Sequence, residues 1–475
     1  MSYNKITPEI VKELEEIVGA NNVIYDDQGG LKLYSHDEIS EKDYYSHLPD
    51  VVVKPSTEEE ISKIMKLANQ YLFPVTPRGA GSGLSGGAVP ECGGVVLSTE
   101  KMNKIVEIDR ENLMVVVEPG VITNEISNAI KEYGLFYPGY PMSHESCCIG
   151  GNVAENAGGG KAIKYGVTSR YLYGLDIVTP TGDIVHLGGK RVKDVASYDL
   201  IHLMVGSEGT LGIFTKMILK LLPLPKEKID MLLLFPDVKS AISMVPKIMT
   251  LGRIIPTSIE FMDALAFQNS CQYLKEEIQT KGAGAMLLVE LDGNSQDELY
   301  EESETVCNLC TENGAIDAFL ADDARTADKF WRIRENIAVA NKWISDEHVV
   351  SDDVVVPVSR IPECVAQMQK LSEKYKIPIP CYGHAGDGNL HPNPYKNPDS
   401  TLEEWYEKIP KLMADIYKIC VDLGGSVTGE HGIGNKKKPY LKYMLEPTEI
   451  QMIKSIKKAL DPNLVLNPGK IVDFD

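Results

Sequence analysis

The sequence predicts an α+β protein of more than one domain. At 475 residues the chain exceeds what one core ordinarily fills. Short apolar runs alternate with amphipathic stretches along most of its length. The texture breaks at Leu222-Pro223-Leu224-Pro225-Lys226-Glu227-Lys228, where two prolines and a charge cluster mark a boundary.

Residues 5–20 read as a helix, with Thr7 as its cap and Ile10, Val11, Leu14 and Ile17 on one face. Residues 51–53 form a short strand, 57–68 a helix, and 73–77 a strand that enters a glycine-rich segment. Strands follow at 95–98, 105–108 and 114–119, then a helix at 122–133. A hairpin joins 175–179 to 184–186 across Thr181-Gly182-Asp183. Beyond the boundary, strands at 231–235, 258–262, 285–291 and 316–320 alternate with helices at 238–251, 263–273 and 296–313, a ferredoxin-like α+β pattern. A last helix, 446–460, stops before Asp461-Pro462-Asn463.

The net charge of −20 repels nucleic acid and anionic lipid. Apolar runs such as 231–235 are far too short to span a bilayer, and residues 1–12 carry no apolar signal core, so a cytoplasmic protein without membrane insertion is expected. Nine cysteines, odd in number and irregular in spacing, do not make a disulfide framework. Cys307 and Cys310 form the one C-x-x-C, inside a helical stretch, and Cys147-Cys148 close no loop. No iron–sulfur cluster is expected within this chain.

The densest signal is Pro77-Arg78-Gly79-Ala80-Gly81-Ser82-Gly83-Leu84-Ser85-Gly86-Gly87. It contains G-x-G-x-x-G by letter, but a turn region follows where a dinucleotide-binding fold needs a helix. No Gly-Lys-Ser/Thr closes a P-loop either. What remains is physical: glycines permit positive φ, so successive N–H groups can form a nest for a pyrophosphate. A second small-residue stretch is Gly150-Gly151-Asn152-Val153-Ala154-Glu155-Asn156-Ala157-Gly158-Gly159-Gly160, and a third is Val205-Gly206-Ser207-Glu208-Gly209-Thr210-Leu211-Gly212. Three such segments let backbone approach one extended ligand at several points.

Late in the chain, Gly383-His384-Ala385-Gly386-Asp387-Gly388-Asn389-Leu390-His391 places two histidines seven apart. In a straight strand they would face opposite sides, but the Gly386-Asp387-Gly388 turn can fold them onto one site. Thr428-Gly429-Glu430-His431-Gly432-Ile433-Gly434 follows. Two imidazoles and a carboxylate are a plausible divalent-metal set, which a metallohydrolase would share.

In their order, these motifs resemble the vanillyl-alcohol oxidase superfamily, in its branch of glycolate oxidase catalytic subunits and D-lactate dehydrogenases. The resemblance covers nearly the whole chain. It implies a bipartite FAD-binding domain of the PCMH type over 49–223, preceded by a helical segment over 1–48. It also implies a ferredoxin-like cap or substrate domain over 224–445, and a segment 446–475 that returns to the FAD domain. The implied FAD set is Pro77, Arg78, Gly79, Ala80, Gly81, Ser82, Gly83, Gly86 and Gly87, with Pro141, Gly150, Gly151, Asn152, Asn156, Gly158, Gly159, Gly206, Glu208, Gly209, Gly212 and Asn467. Because Gly79–Gly87 has no histidine, the FAD should be non-covalent.

The same resemblance implies His384, His391 and Glu430 as ligands of one divalent metal ion (Fe2+, Zn2+ or Mn2+), His431 as catalytic base, and Arg334 and Asn393 at the substrate. Relatives that take larger diacids carry a lysine where this chain has Ser351, followed by Asp352 and Asp353. The expected substrate is therefore a short D-2-hydroxy acid, D-lactate first, oxidised to pyruvate. The expected electron acceptor is an electron-transferring flavoprotein of α and β subunits, as in electron-bifurcating lactate dehydrogenases. The alternative is a glycolate oxidase catalytic chain that passes electrons to an iron–sulfur subunit and quinone.

Overall fold

The computed structural model describes residues 3–39, 45–321 and 323–474, so residues 1–2 and 40–44 of the expected N-terminal segment lie outside it. The chain forms two units. Met1–Gly158, Val167–Leu224 and Glu430–Asp475 build the first, and Gly159–Gly166 and Pro225–Gly429 the second. The expected boundary is where they part: Leu222–Pro223 still pairs with Leu135–Phe136, whereas the Lys226 N–H donates to Gly293 in the second unit.

In the first unit, helix Pro8–Val18 starts at Thr7, whose side chain accepts from the Ile10 N–H. Helix Glu58–Tyr71 is capped by Thr57, and three glutamates in its first turn complement the helix dipole. Ile10 and Leu14 of one helix and Ile61, Ile64 and Met65 of the other are buried with Val51, Val53, Val75, Val95 and Leu97. These valines belong to a four-stranded sheet in which Val51–Val53 and Val75–Arg78 both run parallel to Val95–Ser98. A five-stranded antiparallel sheet runs in the order Ile105–Asp109, Met114–Val117, Ile213–Lys220, Leu172–Val178, Ile184–Gly188, the last two strands being the expected hairpin.

The return to the first unit comes at Glu430, earlier than the expected 446. The cause is local. The Glu208 carboxylate accepts the Ile433 and Gly434 N–H groups at 2.7 and 2.6 Å, and the Ile471 N–H donates to the Gly434 carbonyl. Buried Lys457 secures the C-terminal helix Pro447–Leu460 by donating to Asp461 and to the carbonyls of Thr210 and Leu466.

The second unit is built on a seven-stranded antiparallel sheet. Its order is Asp317–Leu320, Glu227–Phe235, Ala285–Gly293, Ser258–Asp263, Cys381–His384, Asn389–Pro392, Val354–Val355. Leu232, Leu234, Met262, Met286 and Leu288 are buried in one cluster with Ala266, Phe267, Phe330, Ile333 and Ile337 of the covering helices. The helix expected over 238–251 is two, Val238–Ile242 and Met244–Thr250. Pro246 has no N–H to continue the ladder back to Ile242.

The Gly386-Asp387-Gly388 turn does reverse the chain. Gly388 has φ +88°, and a Cβ there would lie 2.0 Å from the Val356 carbonyl oxygen, so only glycine fits. Among the described residues no helix is long and apolar enough to cross a membrane, and the cysteines are free thiols, Cys307 and Cys310 lying in helix Gln296–Glu312.

Candidate active site

The three glycine segments converge within the first unit. A Cβ on Gly79 would lie 3.3 Å from the Cβ of Cys148, the cap of helix Ile149–Glu155, which carries Gly150 and Gly151. A Cβ on Gly209 would lie 2.8 Å from Pro77. Asn467 ties the first and third segments together: its side-chain NH2 donates to the carbonyls of Gly87 and Glu208 at 3.0 and 2.9 Å. Small residues are thus required where backbones meet, and the meeting strips the loops of side chains, as a dinucleotide lying along them needs. The FAD set therefore fits its cofactor as a cradle of close-packed backbone.

Several members of that set are committed to the protein itself. Arg78 donates to the His36 carbonyl at 2.8 Å and lies under Gly81. The Gly86 N–H donates to the Asp37 carboxylate at 2.8 Å, so this N–H is already paired within the protein. Asn152 donates to Thr123, Asn156 accepts from the Ser169 N–H with φ at +55°, and the Pro141 carbonyl closes a turn with His144. Gly159 falls in the second unit. Glu208, at φ +52°, spends its carboxylate on Ile433 and Gly434. Burial pushes that carboxyl up, against the pull of the two N–H groups and of Lys470 and Lys437. The Glu208 side chain is thus a clamp on the loop carrying Glu430 and His431. In that loop His431 Nε2 lies 3.4 Å from Glu430 Oε1. A Cβ on Gly432 (φ +82°) would fall 2.2 Å from Glu155 and 3.0 Å from Glu208, so the turn after His431 admits only glycine.

In the second unit the sheet register gathers the late motif. Glu260 pairs with His384, and Tyr382 with His391, across adjacent strands, so the side chains share one face. The rings of His384 and His391 stand edge to face, centroids 5.4 Å apart, both buried, with ligand nitrogens within 4.8 Å of each other. His384 Nδ1 meets Glu260 Oε1 at 2.7 Å, and Arg334 Nη2 meets Glu260 Oε2 at 2.6 Å. Glu260 is fully buried, which alone would raise its pKa, but His384 and Arg334 outweigh burial and hold it at about 2.

Arg334 comes from helix Ala324–Glu335, lies 4.8 Å over the Tyr382 ring, and has a buried Nε without a hydrogen-bond partner. A buried imidazole pair with one ring anchored through Nδ1 to a carboxylate is the donor set that suits a divalent cation. Asn393, expected at the substrate, stands in a buried amide chain. It accepts from Asn341 and donates to the Val350 carbonyl at 2.9 Å and to Ser351 Oγ at 3.4 Å, which uses both donor hydrogens. The acids beside Ser351 also face inward. Asp353 accepts from Thr428 Oγ1 and the Gly429 N–H, and Asp352 accepts from the Tyr417 hydroxyl.

Two family models match the chain: the FAD binding domain over residues 49–188 and the C-terminal domain of FAD linked oxidases over 224–471. The chain belongs to the FAD-linked oxidase family. It is 38% identical over 470 residues to "Glycolate oxidase subunit GlcD" of Bacillus subtilis (strain 168), covering 99% of this chain and 98% of the relative. It is 37% identical over 476 residues to "D-lactate dehydrogenase" of Anaerostipes hadrus, covering 99% and 98%. Among solved structures, p-cresol methylhydroxylase with substrate bound superposes with a TM-score of 0.79 at 18% identity, covering 99% of both chains. Alkyldihydroxyacetonephosphate synthase gives 0.75 at 22%, covering 98% of this chain and 87% of that one. The FAD-linked oxidase is therefore an oxidoreductase that binds FAD, with the FAD-binding and C-terminal domains of the vanillyl-alcohol oxidase and PCMH type.

Proposed function

We propose that this FAD-linked oxidase dehydrogenates a short D-2-hydroxy acid, D-lactate first, to the 2-oxo acid. The observation that carries this is the second unit's buried group of His384, His391 and Arg334 around Glu260, which offers cation ligands and a carboxylate clamp together. The two relatives named for glycolate and D-lactate support the substrate class. The carboxylate ligand we propose beside His384 and His391 is Glu430, the residue that the family resemblance implies for that role.

Bound FAD supplies a two-electron acceptor, and a divalent ion supplies Lewis acidity at the α-hydroxyl. The protein does the rest. Arg334 binds the substrate carboxylate through its planar fork, Nε included. His431 removes the hydroxyl proton, its loop set by the Glu208 clamp on Ile433 and Gly434. Ser351 offers no cation for a second carboxylate, so short monocarboxylates are favoured over diacids.

Anaerobic stopped-flow tests the reading: D-lactate should bleach the flavin faster than L-lactate or D-2-hydroxyglutarate. Faster reduction by the diacid would refute the substrate assignment. We assign the reoxidation to an electron-transferring flavoprotein of α and β subunits, because this chain has no cysteine set for an iron–sulfur relay. Turnover should then need that partner, and rapid turnover of the isolated chain with oxygen would argue against it. Non-covalent attachment has its own check. Acid precipitation should leave the yellow cofactor in the supernatant, and flavin in the pellet would mean a covalent bond.

A further inference from the structure

We infer that Glu260 is the positioning residue of this centre, a single carboxylate that orients both the cation ligand His384 and the substrate clamp Arg334. The inference rests on the roles proposed above for those two residues and adds the group that sets them.

Glu260 lies in strand Ser258–Asp263, where alternation puts Ser258, Glu260 and Met262 on one face. Register then fixes its neighbour, since Glu260 and His384 are directly opposed on antiparallel strands. Its two oxygens are divided. Oε1 meets His384 Nδ1 at 2.7 Å and accepts from Ser258 Oγ at 3.0 Å. Oε2 meets Arg334 Nη2 at 2.6 Å. Gly160 lies against the carboxylate: a Cβ there would come 2.7 Å from Oε1 and 3.0 Å from Ser258 Oγ, so a side chain at that position would displace the pair. Glu260 itself is 0% exposed.

The chemistry requires a carboxylate. His384 presents an N–H, Arg334 presents N–H groups, and each needs an acceptor in a space closed to water. Glutamate supplies two acceptor oxygens at once. Glutamine supplies one and turns an N–H toward the other partner. With Nδ1–H bound to Glu260, the imidazole is held in the tautomer whose Nε2 carries the lone pair for a cation. The same carboxylate holds the guanidinium at one edge through an ion pair, not an aligned hydrogen bond, and leaves the buried, unpartnered Nε for the substrate.

A merely structural ion pair predicts otherwise. An amide isostere would then lower stability while leaving cation affinity and substrate KM untouched. The test compares wild-type and Glu260→Gln holoenzymes for Zn2+ and Mn2+ affinity by chelator competition, with FAD content and thermal unfolding recorded alongside. Glu260→Gln should weaken cation affinity by ~10–100-fold and raise substrate KM more than it lowers kcat. The double variant with His384→Asn should bind the cation no more weakly than His384→Asn alone, because Glu260 acts through that ring.

Wild-type cation affinity in Glu260→Gln, or additive losses in the double variant, would overturn the inference. A wild type that binds neither cation would instead overturn the metal reading above, and this one with it. One measurement needs no variant. In cation-loaded wild-type enzyme with 15N-labelled histidine, His384 should appear as the Nδ1–H tautomer with a slowly exchanging proton. An Nε2–H tautomer there would overturn the assignment even if Glu260→Gln did not fold.

Discussion

Replacing His431 by asparagine should slow flavin reduction by D-lactate by ~10²–10⁴-fold, with FAD still bound. The two halves of this result have separate causes. Asparagine is similar in size and still hydrogen-bonds, but it has no nitrogen basic enough to take the hydroxyl proton near neutral pH. The cofactor should stay because the cradle is made by other residues. Gly79 against Cys148, Gly209 against Pro77, and the Asn467 bonds to Gly87 and Glu208 do not involve the His431 side chain. The loop should also keep its shape, since Glu208 holds it through the backbone of Ile433 and Gly434. Single-turnover stopped-flow reads the rate, and flavin absorbance of the purified variant reads occupancy. Near-normal reduction would show that another group is the base. Loss of flavin would show that the loop supports the cradle.

What could be read from the sequence follows from how local each signal is. Glycine clusters marked the convergence of the three loops because close backbone approach excludes side chains whatever the partner is. The two histidines could be put on one face because Gly386-Asp387-Gly388 is a turn by composition alone. What the sequence hides is the partner of an acid when that partner lies far along the chain. Asp37 takes the Gly86 N–H, Glu208 takes those of Ile433 and Gly434, and Asp353 takes that of Gly429. In sequence each looks like an ordinary surface acid, and Glu208 looks like part of a cofactor motif.

Glu260 is the most instructive omission. Flanked by Ile259 and Phe261, it reads as the polar side of a half-exposed strand. Every residue of strand Ser258–Asp263 is in fact buried, so both faces are covered. A charged residue amid so apolar a strand was the available signal, because a buried acid needs partners. The break in the helix expected over 238–251 had a signal as well, Pro246. The early return at Glu430 had none nearby, since it depends on the long-range bonds of Glu208.

Arg334→Ala should lower kcat/KM for D-lactate by ~10²–10³-fold, the middle of the cost range for truncating one partner of a buried charge pair. Most of the loss should appear in KM. Arg334 is 3% exposed, so its guanidinium is largely desolvated and its contacts are not diluted by water. It serves two partners. One edge meets Glu260 at 2.6 Å, and Nε is buried with no hydrogen-bond partner of its own. Arg334→Lys should recover only part of the loss, although it keeps the charge. An ammonium is a point donor and cannot hold Glu260 on one edge while gripping a second carboxylate with another. Tyr382, whose ring lies 4.8 Å from the guanidinium carbon, would also lose its planar stacking partner. The alanine variant leaves the buried Glu260 carboxylate without its guanidinium and with only the His384 ring and the Ser258 hydroxyl beside it, so a lower unfolding temperature is expected beside the kinetic loss. The two effects separate on adding guanidinium ion. A small planar cation that enters the vacated space should lower KM and so restore part of kcat/KM, without restoring the lost thermal stability in full. Steady-state kinetics of both variants, with and without that ion, reads the split. An Arg334→Ala enzyme with wild-type KM would remove Arg334 from the substrate site and leave it a structural partner of Glu260.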